Sequence, residues 1–165
     1  MAIGLVLPFL TGQIPQIGKM LSPMHIPVLL CGFVCGWQYG LVVGFVTPLL
    51  RSVLFHMPVL FPSAVGMAFE LATYGAVAGA VYVLFKKKNL PAIYVTLITA
   101  MLCGRVVWGL ASIVLYGIQG KQFTVELFLA GAFIKAVPGI ILHLILIPVI
   151  AFALERSGFM QAQRT

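Results

Sequence analysis

Long apolar stretches alternate with short polar connections along the chain. The longest apolar runs cover residues 24–37, 41–55, 63–85, 90–118 and 125–154. A helix of about 20 apolar residues crosses the hydrocarbon core of a bilayer. The runs are continuous and lack the alternation of transmembrane strands. The pattern therefore predicts an all-α integral membrane protein, a bundle of six transmembrane helices forming a single domain over residues 1–165.

The apolar pattern also predicts where the helices begin and end. Residues 2–11 provide half a span, so we expect a truncated first helix, followed by a Gly-, Pro- and Gln-rich loop over residues 12–23. A tight turn is expected at residues 36–40 and a proline-bounded loop at 56–62. Ser63 is a candidate N-cap for the fourth helix. Pro138 and Pro148 are expected to interrupt the sixth.

Composition agrees with a membrane protein and excludes two other classes. Hydrophobic residues make up 62% of the 165 residues and charged residues only 8%, which is too few for a soluble or a disordered chain. Ten Lys and Arg against three acidic residues give a net charge of +7. Short lysine-rich loops stay in the cytoplasm, so the run at residues 86–88 and the basic tail, with Arg156 and Arg164, predict that both termini are cytoplasmic.

A few ionisable residues stand inside the apolar runs. Each charge at the bilayer centre costs about 3 kcal/mol on insertion scales. Three cations and one carboxylate leave an interior excess of +2, and a histidine accompanies them; these residues are Arg51, Glu70, Arg105, Lys135 and His143. One interpretation is a pocket that opens to the outside and binds a small anionic or strongly polar ligand. The other is structural, with a Glu70–Arg105 ion pair and with Arg51 extending to the outer interface.

Spacing groups these residues with aromatic side chains. Glu70 and Tyr74 are i, i+4 neighbours on one helix face, and Trp108 follows Arg105 at i+3, which places a stacking surface beside a cation. Lys135 and His143 are about 80° apart around a continuous helix, so both could face one cavity.

The residue pattern does not favour a catalytic or a metal-binding protein. One intramembrane carboxylate cannot form a carboxylate pair, and Cys31 and Cys35 have neither the CxxC spacing nor partner ligands. No phosphate-binding loop is present. We therefore expect no enzyme activity, no cofactor, no metal site and no nucleic-acid partner, and any ATP hydrolysis must come from partner subunits.

Small residues recur four positions apart in the fourth run, as Ala68, Ala72, Ala76 and Ala80 and as Gly75 and Gly79. Rows of this kind allow helix backbones to approach closely. Packing within the molecule is the favoured interpretation, and a docking surface for a partner's helix is the alternative.

Four segments together resemble a known family. They are LSPMHIPVLLCGFVCG at residues 21–36, YGLVVGFVTPLLRS at 39–52, FELATYG at 69–75 and GRVVW at 104–108. They are similar to the substrate-binding (S) components of energy-coupling factor (ECF) vitamin transporters. The resemblance implies a six-helix protein of the prokaryotic cytoplasmic membrane. Such a protein binds a vitamin or precursor from outside and docks on a transmembrane coupling (T) subunit that carries two ATP-binding cassette ATPases.

The resemblance also implies roles for individual residues. A gating loop over residues 13–24 would contain Gln13 and Lys19, with His25 at its end. The substrate-binding residues would be Arg51, Glu70, Tyr74, Arg105, Trp108, Lys135 and His143. The interior charge slightly favours a pantothenate-like anion over a pyridoxine-like or hydroxymethylpyrimidine-like ligand. The alternative function is a non-transporting scaffold protein of cell-envelope biogenesis.

Overall fold

The protein is helical throughout the part that the structure describes. A computed structural model describes residues 1–7, 23–85, 89–120, 122, 124–134 and 136–156, and these contain no strand. Seven α-helices and two π-helical turns, Leu60–Ala64 and Ala130–Ile134, are present in these residues. The α-helices are α1 (Ala2–Val6), α2 (His25–Cys35), α3 (Trp37–Phe55), α4 (Val65–Leu84), α5 (Leu90–Ile118), α6 (Val125–Leu129) and α7 (Val137–Arg156).

Four helical segments are long and apolar enough to cross a membrane. They are Trp37–Phe55, Leu60–Leu84, Leu90–Ile118 and Val137–Arg156, while α2 is apolar but has only 11 residues. The all-helical class and four candidate spans are therefore established, and the six-helix count stays a prediction. In the first predicted segment the structure describes α1 and Leu7. The remainder of that segment and nearly all of the predicted loop lie outside the described residues.

The predicted turn at residues 36–40 is reduced to one residue. Gly36 has a φ of 95°, which glycine adopts without steric cost, and α3 begins at Trp37. Gly40 lies inside α3 and its amide donates to the Gly36 carbonyl over 3.0 Å. The prediction of a five-residue turn was wrong because it took both glycines as turn residues, whereas Gly40 serves helix packing.

Helix α4 does not begin with a Ser63 cap. Phe61 is extended, with φ −123° and ψ 129°, and the chain turns helical from the next residue, Pro62. The fixed φ of proline suits the first position of a helix. Ser63 lies inside the π-helical turn that continues into α4. The fifth span, in contrast, begins and ends as predicted, and the Asn89 side chain caps it by accepting from the Ala92 amide.

The sixth predicted span is broken beside Pro138, one of its two predicted interruptions. The chain passes from α6 through the π-helical turn Ala130–Ile134 and resumes an α-helix at Val137. Pro138 occupies the first turn of α7, where a proline removes no helical hydrogen bond. The predicted interruption at Pro148 was wrong, because that residue lies within the continuous helix α7.

Helix α4 lies at the centre of the packing, between α2 and α3 on one side and α5 on another. A glycine seam joins it to α2 and α3; its members are Gly32, Gly40, Gly44, Gly75 and Gly79. A Cβ atom on any of them would collide with the backbone of a facing helix. The favoured interpretation, packing within the molecule, is confirmed for Gly75 and Gly79. Ala80, the last residue of the alanine row, is exposed.

An apolar core fills the space between α2, α4, α5 and α7. Its fully buried members include Leu29, Phe33, Tyr82, Ile93, Leu97 and Ile147. The rings of Phe33 and Tyr82 meet edge to face, with centroids 5.0 Å apart. This core leaves the opposite end of α4, around Glu70, for polar side chains.

Candidate functional site

Glu70 is the centre of a buried polar group. It lies on α4 and only 2% of its surface is exposed. Its Oε1 atom accepts a hydrogen bond of 2.8 Å from the Tyr74 hydroxyl, one turn further along the same helix. The same oxygen lies 2.9 Å from Nη1 of Arg105 on α5. The predicted helix-face pair and the predicted ion pair therefore meet at one carboxylate oxygen.

Two histidines complete this group. His25 is the first residue of α2, and its Nε2 lies 3.7 Å from Glu70 Oε1. Its ring stacks on that of His143, from α7, at 5.5 Å and 27°, and lies 5.1 Å from the Tyr74 ring. All three rings are buried. We call the five residues the Glu70 cluster: His25, Glu70, Tyr74, Arg105 and His143.

The cluster balances its own charge. The Arg105 guanidinium and the Glu70 carboxylate form a close pair, which offsets the cost of placing either charge in the membrane. The Nε–H of Arg105 is buried and has no hydrogen-bond partner among the described residues. Burying such a donor is unfavourable. The cluster is thus electrically satisfied but retains one donor that an acceptor from outside could use.

Trp108 lies one turn beyond Arg105 on α5. Its ring stacks on Phe128 of α6, with centroids 6.1 Å apart and an angle of 25°. Gly66 and Gly131 lie at its edges, and a Cβ on Gly131 would collide with the indole. The structure therefore places the predicted stacking residue between α4, α5 and the segment after α6.

The described contacts of Arg51 lie on α1 and α3, and its side chain does not extend to the surface. It is 6% exposed, donates from Nη1 to the Leu5 carbonyl over 2.8 Å, and covers the Phe55 ring. Gly44 packs on the Leu71 carbonyl, beside Glu70, and Arg51 follows seven residues later, about 10 Å along the helix axis. Its described contacts tie α3 to α1.

Several predicted site residues cannot be placed. Gln13, Lys19 and Lys135 lie outside the described residues. The predicted relation between Lys135 and His143 therefore stays a prediction. His143 nevertheless belongs to the cluster, and it does so through His25.

Sequence reasoning gave one buried polar residue another role and missed a second. His25 was expected at the end of a loop, but it is buried inside the cluster. At the other end of α4, Tyr82 is fully buried and lies near the Glu155 side chain from the end of α7. In both cases the sequence could have indicated a buried polar side chain, because a polar residue lies within one helical turn of an apolar run.

The described part of the chain contains no candidate metal site, because no three His, Cys, Asp or Glu residues there are arranged to hold an ion. The three cysteines at positions 31, 35 and 103 are free thiols. The shallow pocket between α5 and α6 is lined mainly by apolar side chains, including those of Leu110, Ile113 and Phe128.

Buried charge between membrane-spanning helices is typical of membrane proteins that handle polar solutes, and a family match identifies the class of this chain. The family described as "ECF transporter, substrate-specific component" matches residues 1–151. The chain therefore belongs to the substrate-specific components of ECF transporters, as its sequence motifs indicated. It is a membrane protein and a substrate-binding component of a transporter rather than an enzyme. Searches of curated proteins and of solved structures each gave no match.

Proposed function

We propose that this protein binds a small water-soluble vitamin or vitamin precursor with high affinity from outside the cell and delivers it across the membrane with an ATP-driven ECF module. Membership of the substrate-specific components supports the transport role. The Glu70 cluster supports the position of the binding site, because it gathers polar side chains from four helices. The family match favours this function over the scaffold protein.

Ligand contacts are assigned first to the cluster. Glu70, Tyr74, Arg105 and His143 were all predicted as substrate-binding residues, and they lie together with His25. Trp108 is proposed as a stacking surface one turn away. Arg51 is proposed as a support for α1, because its described contacts lie there. Lys135, and a gate that contains Gln13 and Lys19, stay proposals from sequence.

Partner subunits would supply the energy. The proposal places the protein in the prokaryotic cytoplasmic membrane with both termini inside, where it docks on a transmembrane coupling subunit that carries two ATP-binding cassette ATPases. The pantothenate-like ligand favoured from sequence depends on uncompensated cations in the pocket. The pyridoxine-like and hydroxymethylpyrimidine-like ligands depend on hydrogen bonds and stacking.

The direct test is ligand binding by the purified protein. We expect a small molecule to co-purify, or one member of a vitamin panel to bind with a nanomolar Kd and to raise the thermal midpoint. His143→Asn should weaken that binding. His56→Asn is the matched control, since His56 is exposed at the end of α3.

The same preparation distinguishes the structural alternative. A scaffold would show Arg105→Ala destabilised with no small molecule that stabilises the parent protein. Absence of binding across the panel, together with unchanged stability in Glu70→Ala and Arg105→Ala, would contradict both the binding site and the structural importance of the cluster.

A further inference from the structure

A groove lies between α5 and α6 on the exposed side of α5. Its volume is about 250 Å³, and its walls are mainly apolar side chains from both helices, including Val106, Leu110, Ile113, Val125 and Phe128. The first three of these are each more than half exposed. Thr124 also lines the groove, but its hydroxyl oxygen caps α6 by accepting from the Leu127 amide over 3.4 Å. The α5–α6 groove is therefore an apolar recess in the surface of the protein.

Phe128 joins this groove to Trp108. The Phe128 ring lines the groove and stacks on the indole, with centroids 6.1 Å apart. It also lies close over Gly109, where an added Cβ would collide with the ring. A molecule in the groove therefore packs against a side chain that is itself in contact with Trp108.

Water is a poor occupant of the groove. A buried water molecule needs two to four polar partners, and an engineered apolar cavity of about 150 Å³ stays dry and binds an apolar molecule instead. The Thr124 hydroxyl oxygen already accepts a hydrogen bond from backbone. An empty groove would leave the lining atoms without dispersion contacts on one side. These costs favour an apolar occupant.

The position of the groove indicates which apolar molecule is present. It is continuous with a row of exposed apolar side chains along α5, formed by Ile98, Leu102, Val106, Leu110 and Ile113. Helix α5 is long and apolar enough to cross a membrane, and the chain belongs to a family of membrane proteins, so this row faces the hydrocarbon of the bilayer. Seven residues separate Val106 from Ile113, about 10.5 Å along the axis, which is room for a segment of acyl chain that lies along the helix.

We propose that the α5–α6 groove binds one acyl chain of a bilayer lipid, which lies along α5 and packs against Phe128. Phe128 is then held between two surfaces, the indole of Trp108 and the lipid chain. The proposal concerns a lipid and not the transported solute, so it does not depend on the proposed function.

Quenching of Trp108 fluorescence by a brominated lipid tests this proposal. Trp37, the other tryptophan of the chain, is exposed and is changed to phenylalanine, so that the emission comes from Trp108 alone. The whole chain is reconstituted in phosphatidylcholine vesicles in which an increasing fraction of the lipid carries bromine at the middle of one acyl chain. Bromine quenches only at short range, so a chain in contact with Phe128 should lower the emission about twofold or more. The dependence on the brominated fraction should follow a single lipid site.

Filling the groove provides the matched variant. Leu110→Phe places a ring in the groove, so most of the quenching should be lost because the ring and the acyl chain compete for one volume. Leu102→Phe is the control, since Leu102 belongs to the same exposed row but does not line the groove. If Leu110→Phe does not fold, Ile113→Phe provides the second measurement.

Each outcome decides the proposal. Single-site quenching that is lost in Leu110→Phe and kept in Leu102→Phe supports a retained acyl chain. Equal quenching in the two variants would show contact with bulk lipid only and would overturn it. Absence of quenching at every brominated fraction would also overturn it, because a second copy of the chain or another protein segment would then cover the groove. None of these measurements requires the transported solute, so failure of the proposed function would leave the test unaffected.

Discussion

Helix α4 holds its neighbours through two surfaces of opposite character. On the side of α2 and α3, the glycine seam brings backbones into direct contact through Gly75 and Gly79. On the side of α5, the Glu70 cluster joins the helices through a carboxylate, a guanidinium and a phenol. Lipid tails are as apolar as leucine, so burial of apolar side chains cannot drive either contact, and close packing and polar bonds must do so.

The difference shows which contact can yield to a ligand. The glycine seam depends on close packing of helix backbones, so an added side-chain atom would collide with backbone atoms of the facing helix. The cluster is a set of hydrogen bonds, whose partners can be shared with or exchanged for those of a bound molecule. Under the proposed function, we expect α2, α3 and α4 to form the fixed part of the site and the α4–α5 contact to be its adjustable part.

Among the substitutions that test the two surfaces, removal of the Glu70 carboxylate should reduce stability the most. Glu70→Ala leaves the Arg105 guanidinium buried without its partner, which should cost about 3–5 kcal/mol of stability. Denaturant titration in mixed micelles would measure the loss. In the double variant Glu70→Ala, Arg105→Met the unpaired charge is absent, so part of the stability should return. A double variant as unstable as Glu70→Ala alone would contradict the ion-pair explanation.

Substitution in the seam should have the next largest effect. A Cβ on Gly75 would collide with the backbone of Gly40, so Gly75→Ala should destabilise by about 2–3 kcal/mol. Gly117→Ala is the control, because nothing lies within 4 Å of that position. The same titration applied to both variants checks the expectation, and equal stability of the two would show that the seam is not tight.

Removing one hydroxyl should have a smaller effect. Tyr74→Phe keeps the ring against Gly104 but deletes the hydrogen bond to Glu70, at a cost of about 1.5 kcal/mol. The shift in thermal midpoint measures it. Tyr94→Phe, at an exposed position, provides the control. If Tyr74→Phe lost more stability than Gly75→Ala, the Glu70 cluster would contribute more to stability than the glycine seam, contrary to this expectation.

Substitution at the end of the alanine row should have the smallest effect. Ala80 is exposed, so Ala80→Leu should change stability by less than about 0.5 kcal/mol. The informative measurement is assembly with the coupling module. Normal assembly supports a row that serves only internal packing, and loss of assembly at normal stability would identify a docking surface at Ala80.

Much of the helical framework follows from apolar patterning alone. The limits of α5 match the sequence expectation at both ends, because a favourable cap at Asn89 and a long apolar run coincide there. The starts of α3 and α4 were displaced. Glycine and proline can each mark a turn or lie inside a helix. Gly40 lies inside α3 because it packs against Gly75 of α4. Pro62 starts a helical segment because the residue before it, Phe61, is extended.

The sequence identified most residues of the Glu70 cluster, but it predicted fewer of the contacts between them. The cost of charge in lipid singled out Glu70 and Arg105, and the spacing rule added Tyr74. No rule along the sequence brings His25 to His143, because α2 and α7 meet only through tertiary packing. The interior excess of +2 stays a prediction, because Lys135 lies outside the described residues and the position of Arg51 depends on its contact with α1.

The single-residue connection at Gly36 has a consequence for biosynthesis. Helix α2 rises only about 16 Å, roughly half the thickness of the hydrocarbon core, so it cannot stop in the bilayer by itself. Since only Gly36 lies between them, we expect α2 and α3 to enter the membrane together as one helical hairpin. A residue with a side chain at position 36, where φ is 95°, would therefore impair membrane integration before any question of ligand binding arises.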